Sequence, residues 1–243
     1  MPSLFAPRFT VSRLSGWVWR LSDAFVSCHL VLEDDGFTLV DCGRPGGGEA
    51  IIAIARALGF PIRRLLITHA HLDHSGSLDE LARLLPGLEI IAGRREAPIL
   101  AEDFTPWPDE PQKPVKGGFG PHRARPGRLL DDGERVGRLL AVFTPGHTPG
   151  HMSYLDVHDG ILLTGDALAT AGGLDVAGLS GTRLPFMRFL TWDHPLAVES
   201  ARKLARLPVR VISSGHGQPL LSAQPSLEAA VSRAEAAVAR RAS

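Results

Sequence analysis

The sequence is poor in several residue types, and each shortage excludes a class of protein. Its 243 residues include two cysteines, Cys28 and Cys42, too few for the disulfide framework of a small secreted domain. Both lie in apolar, strand-like surroundings, so we expect buried free thiols. No apolar run approaches the ~18 residues of a membrane-spanning helix, and residues 1–20 lack the pattern of a signal peptide. The expectation is a cytoplasmic protein that does not engage a membrane.

Net charge is also lacking, because 26 acidic residues balance 26 basic ones. No overall field therefore favours nucleic acid. The basic residues are almost all arginines, but they form no stripe, and their densest group, Arg123, Arg125 and Arg128, is small. Because recognition of phosphate by arginine needs a local cluster, the sequence favours a small-molecule substrate over a nucleic-acid partner.

Alternating strands and helices run through the chain and predict an α/β architecture. Asp35-Gly36 is a turn signal between two apolar runs, and Asp41 follows the second of them. The second half repeats this order with Asp159-Gly160 and Asp166, which we interpret as a weak internal duplication within one domain, residues 1–243. The predicted strands are 25–33, 37–41, 64–68, 88–92, 153–157, 161–164 and 209–213, and the predicted helices are 49–58, 77–85, 196–206 and 226–242.

Two segments, 101–127 and 168–195, lack this regularity. The first is rich in proline and glycine and carries Trp107 and Phe119, and the second is apolar and carries Phe186. Long loops inside compact domains are usually functional or mobile. We expect both to wall a pocket for an apolar acyl or aromatic group, with packing or a homodimer interface as the alternative.

The strongest chemical signal is Thr68-His69-Ala70-His71-Leu72-Asp73-His74, directly after a short apolar run. Neutral imidazole and carboxylate are the usual ligands of Zn²⁺, and four such side chains lie close together here. A loop that leaves a strand can point His69 and His71 to one side, while Asp73 and His74 turn toward a neighbouring position. The pattern therefore suits two adjacent metals better than one.

Three more candidates follow at predicted strand ends, each beside glycine: His147, Asp166 and His216. Glycine lets the backbone crowd close to a cluster because it has no Cβ. Ligands at strand ends also inherit rigidity from the sheet. The other histidines match no such element, so we expect His29, His122, His158 and His194 to be bystanders.

These motifs together resemble the metallo-β-lactamase superfamily over roughly residues 25–217. The matching elements are Leu39-Val40-Asp41-Cys42-Gly43, the Thr68–Gly76 segment with its histidines, Thr144-Pro145-Gly146-His147, Thr164-Gly165-Asp166 and Gly215-His216-Gly217. The resemblance implies a four-layer αββα sandwich with the site at one edge of its two sheets.

The resemblance also implies a role for each motif residue. His69, His71 and His147 would hold a first metal, Asp73, His74 and His216 a second, and Asp166 would bridge the two. Asp41 would orient a ligand or its loop, and His151 would orient a ligand or donate a structural hydrogen bond. The implied cofactor is two Zn²⁺ per chain, with Fe²⁺ or Mn²⁺ as alternatives.

The implied activity is hydrolysis by a hydroxide that bridges the two metals. Asp166 and Asp73 would be catalytic, with Asp73 orienting the hydroxide or passing its proton to the leaving group. The chain looks closest to thioester hydrolases similar to glyoxalase II, although the residues after His216 do not supply the helical domain that binds glutathione in that group. A thioester, lactone or other ester is therefore the expected substrate.

Other branches of the same family stay open. Lactonases share all seven ligands, but some place a tyrosine shortly after the bridging aspartate, where this chain has Ala167, Leu168 and Ala169. β-Lactamases use cysteine in place of Asp166. A dioxygenase for persulfides that uses one iron is the main alternative, and a phosphodiesterase or nuclease of the same fold is a further one.

Overall fold

The computed structural model describes residues 8–179 and 184–242, which form fifteen strands and seven helices. Residues 180–183, which belong to the predicted insertion 168–195, lie outside the described residues. The strands are β1 Thr10–Arg13, β2 Val18–Asp23, β3 Val26–Glu33, β4 Gly36–Val40, β5 Ile62–Ile67, β6 Glu89–Gly93, β7 Arg128–Leu130, β8 Arg135–Val136, β9 Leu139–Phe143, β10 Met152–Asp156, β11 Ile161–Leu163, β12 Leu168–Ala169, β13 Asp175–Val176, β14 Val211–Ser213 and β15 Leu220–Leu221. The helices are α1 Gly48–Ala57, α2 Leu72–Ser75, α3 Leu78–Leu84, α4 Glu96–Leu100, α5 Pro185–Leu190, α6 His194–Ala205 and α7 Gln224–Ala242.

Two sheets carry the fold, and they repeat one topology. The first has the order β1-β2-β3-β4-β5-β6-β7, in which β3 and β4 form an antiparallel hairpin and β4 runs parallel to β5. The second has the order β15-β14-β11-β10-β9-β8, in which β10 and β11 form a hairpin and β11 runs parallel to β14. The repeated order of hairpin and parallel neighbour agrees with the duplication read from the sequence.

Alternating side chains on the strands explain why the two sheets stack. Along β3, Leu30 packs on the outer side against helices while Val31 packs on the inner side, because successive strand residues face opposite ways. The inner side meets the second sheet through residues such as Tyr154 and Leu163. This central layer of apolar contacts holds the two sheets face to face.

Helices cover the outer face of each sheet. The first sheet packs against α1 and α3 through residues such as Ile51 and Leu81, and the second packs against α6 and α7 through residues such as Leu204 and Leu227. The layers are therefore helix, sheet, sheet and helix, so the predicted αββα sandwich is confirmed. Among the described residues, no helix is both long and apolar enough to cross a membrane.

The irregular segments differ from the prediction in one respect. Residues 101–127 form neither helix nor strand, as expected. The expectation that 168–195 lacks regular structure is wrong in part, because β12, β13, α5 and the first turn of α6 lie within it. Leu168 and Val176 are fully buried in the core of the second sheet, so this segment is packed structure and not only a surface loop.

Candidate metal centre

The candidate ligands gather where strands of both sheets end. The motif from Thr68 to His74 follows β5, Asp166 follows β11, and His216 follows β14, while His147 lies in the turn between β9 and β10. His71 is still extended, and α2 begins at the next residue. Because extended residues alternate, His69 and His71 point to the same side, whereas the helical turn rotates Asp73 and His74 toward a second position.

Two groups of side chains result, and all seven predicted ligands fall into them. The first contains His69, His71, His147 and Asp166, and the second contains Asp73, His74 and His216, with the ligand atoms of each group within 4.8 Å of one another. We call these the first set and the second set. The structure thus brings the seven residues together in two groups, and their role as metal ligands stays a prediction.

Asp166 connects the two sets. Its Oδ2 lies 3.4 Å from Nε2 of His147 and 3.2 Å from Nε2 of His216, and its Oδ1 lies 3.2 Å from Nε2 of His74. Gly215 makes room for this approach, since a Cβ there would overlap the His74 ring and Oδ1 of Asp166. A single buried carboxylate thus contacts histidines of both sets.

The outward-facing nitrogens fix the tautomer of three rings. Nε2 of His71 lies 2.9 Å from the Lys116 carbonyl, Nδ1 of His74 lies 2.8 Å from Oδ2 of Asp41, and Nδ1 of His216 lies 2.8 Å from the Phe25 carbonyl. Carbonyl and carboxylate oxygens only accept, so each of these nitrogens donates its hydrogen. In the neutral ring, the other nitrogen then directs a lone pair into the centre.

Threonine hydroxyls do the same for the remaining two rings. Thr68 donates its hydroxyl to Asp41, so its oxygen can accept from Nδ1 of His69, 3.0 Å away. Thr191 donates to the Met187 carbonyl at 2.8 Å and can accept from Nδ1 of His147 at 3.3 Å. In their neutral forms, all five imidazoles therefore present Nε2 or Nδ1 inward as acceptors.

This arrangement fits a divalent cation. Nδ1 of His71 lies 3.1 Å from Nε2 of His69 and 3.0 Å from Nε2 of His147. Since the outward nitrogen of each ring already carries the hydrogen, these three inward nitrogens face one another without a proton between them. Nε2 of His74 and of His216 and Oδ1 of Asp166 are buried and make no hydrogen bond. Unpaired buried acceptors are costly, and a cation among them removes the cost. Nitrogen and carboxylate donors suit Zn²⁺, Fe²⁺ and Mn²⁺.

The two sets differ in their electrostatics. Burial lowers the pKa of His69 and of His147 well below its usual value, so these two imidazoles are neutral and ready to donate lone pairs. Burial acts in the same direction on His216, but the Asp166 carboxylate outweighs it and raises the pKa of His216 to about 10. Binding of a cation at the second set would therefore displace protons.

A buried carboxylate that the sequence analysis missed ties the ligand loops together. Glu96 accepts from the backbone N–H of Ala70 at 2.7 Å, from the hydroxyl of Thr148 at 2.8 Å and from the N–H of Gly150 at 3.0 Å. Burial raises its pKa to about 7 in spite of these hydrogen bonds. The side chain thus joins the loop of His69 and His71 to the loop of His147. Its only sequence signal is an acidic residue at the start of an apolar stretch.

The other predicted roles are filled as follows. Asp41 accepts from the N–H of Thr68 at 2.8 Å as well as from His74, so it orients both a ligand and its loop. His151 accepts from the N–H of Asp166 at 3.0 Å and positions that residue through its backbone.

The four histidines predicted to be bystanders lie outside both sets. Among them, His122 contacts the hydroxyl of Ser75, 2.8 Å away. His29, His158 and His194 are also outside both sets.

A cavity of about 550 Å³ opens onto the two sets. Phe186 lines it, as predicted for the second insertion. The expectation that Trp107 lines the pocket is wrong, since its ring lies under the guanidinium of Arg95 and away from the cavity. Phe119 packs against the ring of His71 at 5.0 Å. The lining residues are Phe25, Arg44, Pro45, His71, Leu72, Asp73, Gly118, His147, Asp166, Phe186, Met187, Leu190 and His216.

Known proteins resemble this chain in both sequence and fold. "Uncharacterized protein YobT" of Bacillus subtilis is 41% identical over 211 residues, which are 86% of this chain and 91% of that protein. A hydroxyacylglutathione hydrolase of Methylobacillus flagellatus is 30% identical over 206 residues, 82% of this chain and 68% of that protein. A metallo-β-lactamase structure from Erythrobacter litoralis matches with a TM-score of 0.72 and 20% identity over 96% of this chain and 99% of that chain, which shows the fold alone.

A family model agrees with these relatives and covers most of the chain. The model described as the metallo-beta-lactamase superfamily matches residues 21–216, which include every residue of the first and second sets. The chain therefore belongs to the metallo-β-lactamase superfamily of metal-dependent hydrolases.

Proposed function

We propose that the protein is a hydrolase with two metal ions per chain, with zinc as the default metal and iron or manganese as alternatives. His69, His71 and His147 bind the first ion, Asp73, His74 and His216 bind the second, and Asp166 bridges them. The observation that carries this proposal is the inward direction of five imidazole nitrogens, together with one carboxylate that contacts both sets. The complete second set supports two ions over the single iron of a dioxygenase.

When bound, such ions supply a nucleophilic hydroxide near neutral pH and polarise the carbonyl of a substrate. The protein residues contribute position and proton transfer. Asp73 is the one member of the two sets that is not fully buried, with 26% of its side chain exposed, and its Oδ2 lies 3.4 Å from Nε2 of His216. Asp73 also lines the cavity, where its carboxylate can pass a proton to the leaving group.

The substrate class we propose is a thioester, a lactone or another ester of a small molecule. The cavity lining supports this, because aromatic and aliphatic side chains surround the polar centre on several sides. The hydroxyacylglutathione hydrolase relative supports an ester or thioester bond as the target. Nucleic acid is not supported, since Arg44 is the only arginine or lysine among the described residues that line the cavity.

The first test is metal content and activity of the protein purified without added metal. We expect about two zinc or manganese ions per chain by elemental analysis, and hydrolysis of at least one member of a panel of thioesters and lactones. His216→Ala should lose about one ion per chain and most of the activity. His158→Ala is the matched control, because His158 is in neither set, and it should keep both ions.

One iron per chain, with oxygen consumption on a persulfide and no hydrolysis, would move the protein to the dioxygenase class. Equal metal content in His216→Ala and the parent protein would contradict the second site itself.

A further inference from the structure

One wall of the cavity carries a positive charge that metal binding does not explain. Among the lining residues that the structure describes, Arg44 is the one with a permanent positive charge. It follows the Asp41-Cys42-Gly43 turn and lies beside Pro45 at the cavity rim, with 41% of its side chain exposed. Asp73 shares the lining and acts on Arg44 through its negative charge, while its Oδ2 lies 3.4 Å from Nε2 of His216.

Arg44 is held in a fixed orientation. Its Nε and Nη2 donate to the two oxygens of Asp23 at 3.1 and 2.8 Å, which leaves Nη1 for a ligand. Its carbonyl accepts from Arg8 at 3.0 Å and from the Ser77 hydroxyl at 2.7 Å. Side chain and backbone are therefore both fixed before a ligand arrives, which lowers the entropic cost of binding.

Asp23 does not neutralise this wall. The same carboxylate also accepts from Nε of Arg8 at 3.0 Å, so two guanidinium groups share one negative charge. The group of three keeps a net charge of one positive unit, and Arg44 is its member at the cavity. A buried, evenly paired arginine would be structural, whereas this one retains charge toward an open space.

Apolar side chains link Arg44 to the metal centre. The Phe25 ring is stacked on the ring of His216 at 5.7 Å and has the Arg44 guanidinium 5.8 Å from its centre. Phe186 meets the same histidine edge-on at 5.9 Å from another direction. Phe25 is 51% exposed, a large apolar surface for a hairpin tip. Between the two metal sets and Arg44 the lining thus offers the apolar ring of Phe25, with the guanidinium at its far side.

We propose that the substrate is an ester or thioester whose apolar segment ends in a carboxylate, and that Arg44 binds this carboxylate. The inference rests on the proposed hydrolase function and specifies its substrate. The reacting carbonyl lies at the two metal sets, the apolar segment lies along Phe25 and Phe186, and the carboxylate accepts from Nη1 of Arg44. Guanidinium suits this role because it stays charged and offers several donors.

The test compares two 4-nitrophenyl esters with five-carbon acyl chains, the neutral pentanoate and the anionic glutarate monoester. In the metal-loaded protein, we expect Arg44→Met to lower the ratio of kcat/KM for glutarate to that for pentanoate by about tenfold, through loss of a charge-assisted hydrogen bond. Arg44→Lys should keep most of the ratio. Arg94→Met is the matched control, because Arg94 makes the same two-point pair with Asp131 on the outer surface, and its ratio should stay at the parent value.

An unchanged ratio in Arg44→Met would overturn the inference and leave the hydrolase proposal intact. If neither ester is cleaved, calorimetric binding of 4-phenylbutyrate and 4-phenylbutanamide to the metal-loaded proteins decides. If the parent protein binds the carboxylate more tightly than the amide, and this ratio of affinities falls severalfold in Arg44→Met, the inference is supported even though the esters fail. If the ratio is unchanged in Arg44→Met, or if the parent protein binds both compounds equally, the inference is contradicted.

Discussion

Asp41 shows how much one side chain outside the two sets can decide. It accepts from Nδ1 of His74 through one oxygen and from the N–H of Thr68 through the other. Its backbone is left-handed, with φ of 59°, a conformation that asparagine also tolerates. Asp41→Asn therefore changes the hydrogen bonds without straining the turn. It is a clean test of the tautomer that the structure assigns to His74.

We expect Asp41→Asn to weaken metal binding at the second set by about 10- to 100-fold, the range found when partners of ligating histidines are removed. Either orientation of the amide places an NH₂ against an N–H, so His74 or the Thr68 loop must shift. Competition with a chromophoric chelator measures the affinity. Asp35→Asn is the control, since Asp35 pairs with Arg64 on the surface. Equal affinities in the two variants would refute the role of Asp41.

Single residues were predictable where the motif is contiguous. His69, His71, Asp73 and His74 are close in sequence, so their shared chemistry is visible without a fold. Glu96 and Thr191 were not predictable, because each acts on a ligand loop that is distant in sequence and has a residue type common in any protein. Their role exists only after the sheets bring the loops together.

At the scale of elements, α5 links the cavity to the first set. The helix begins with Pro185 and ends before Thr191, whose hydroxyl accepts from His147. Phe186 and Met187 of the same helix line the cavity. A short helix in a segment predicted to be irregular therefore contributes both an apolar wall and the orientation of a ligand.

Phe186→Ala should raise KM about fivefold for a substrate with a long apolar acyl chain, and leave a substrate with an acetyl group nearly unchanged. The reason is the loss of apolar contact area, which is worth about 1–3 kcal/mol for a well-filled pocket and less at this partly exposed ring. Steady-state kinetics on an acyl-chain series measures it. Trp107→Ala is the matched aromatic control, because Trp107 lies away from the cavity. An equal change in KM for every acyl chain in the series would contradict the role of Phe186 as a wall of the cavity.

Strands and helices with strong periodic patterns were predictable, and each of them is present within two residues of its predicted bounds. The elements absent from the prediction are β1, β2, α2, α4, the strands from β7 to β9, β12, β13, α5 and β15. Of these, β1 is fully exposed and β8 has two residues, so neither carries an apolar pattern. Their strand form comes from pairing with neighbours that local sequence does not identify.

At the scale of the whole molecule, each metal set draws on both sheets. The first set takes His69 and His71 from the first sheet and His147 from the second, and the second set takes His74 from the first and His216 from the second. Bound metal therefore clamps the two halves of the sandwich. We propose that residues 1–243 form one domain that unfolds as a unit.

Removal of metal should lower the midpoint of thermal unfolding, because a ligand that binds only the folded state stabilises it by about 2.7 kcal/mol per site at a hundredfold excess over Kd. Calorimetry before and after chelation, with metal added back as the reversal control, measures the shift. Chelation should lower the unfolding midpoint of His216→Ala by less than it lowers that of the parent protein. Two separate transitions, with one insensitive to metal, would contradict the single domain and the clamp.

The spacing of the ligands along the chain has a consequence for synthesis. A ribosome makes the His69 to His74 motif early, yet the first set waits for His147 and Asp166, and the second waits for His216. A nascent chain thus offers metal three histidines and one aspartate, divided between the two sets, until most of the sandwich has been translated. Correct loading is a late event, so the early motif must stay free of the wrong ion while the rest of the protein is still being made.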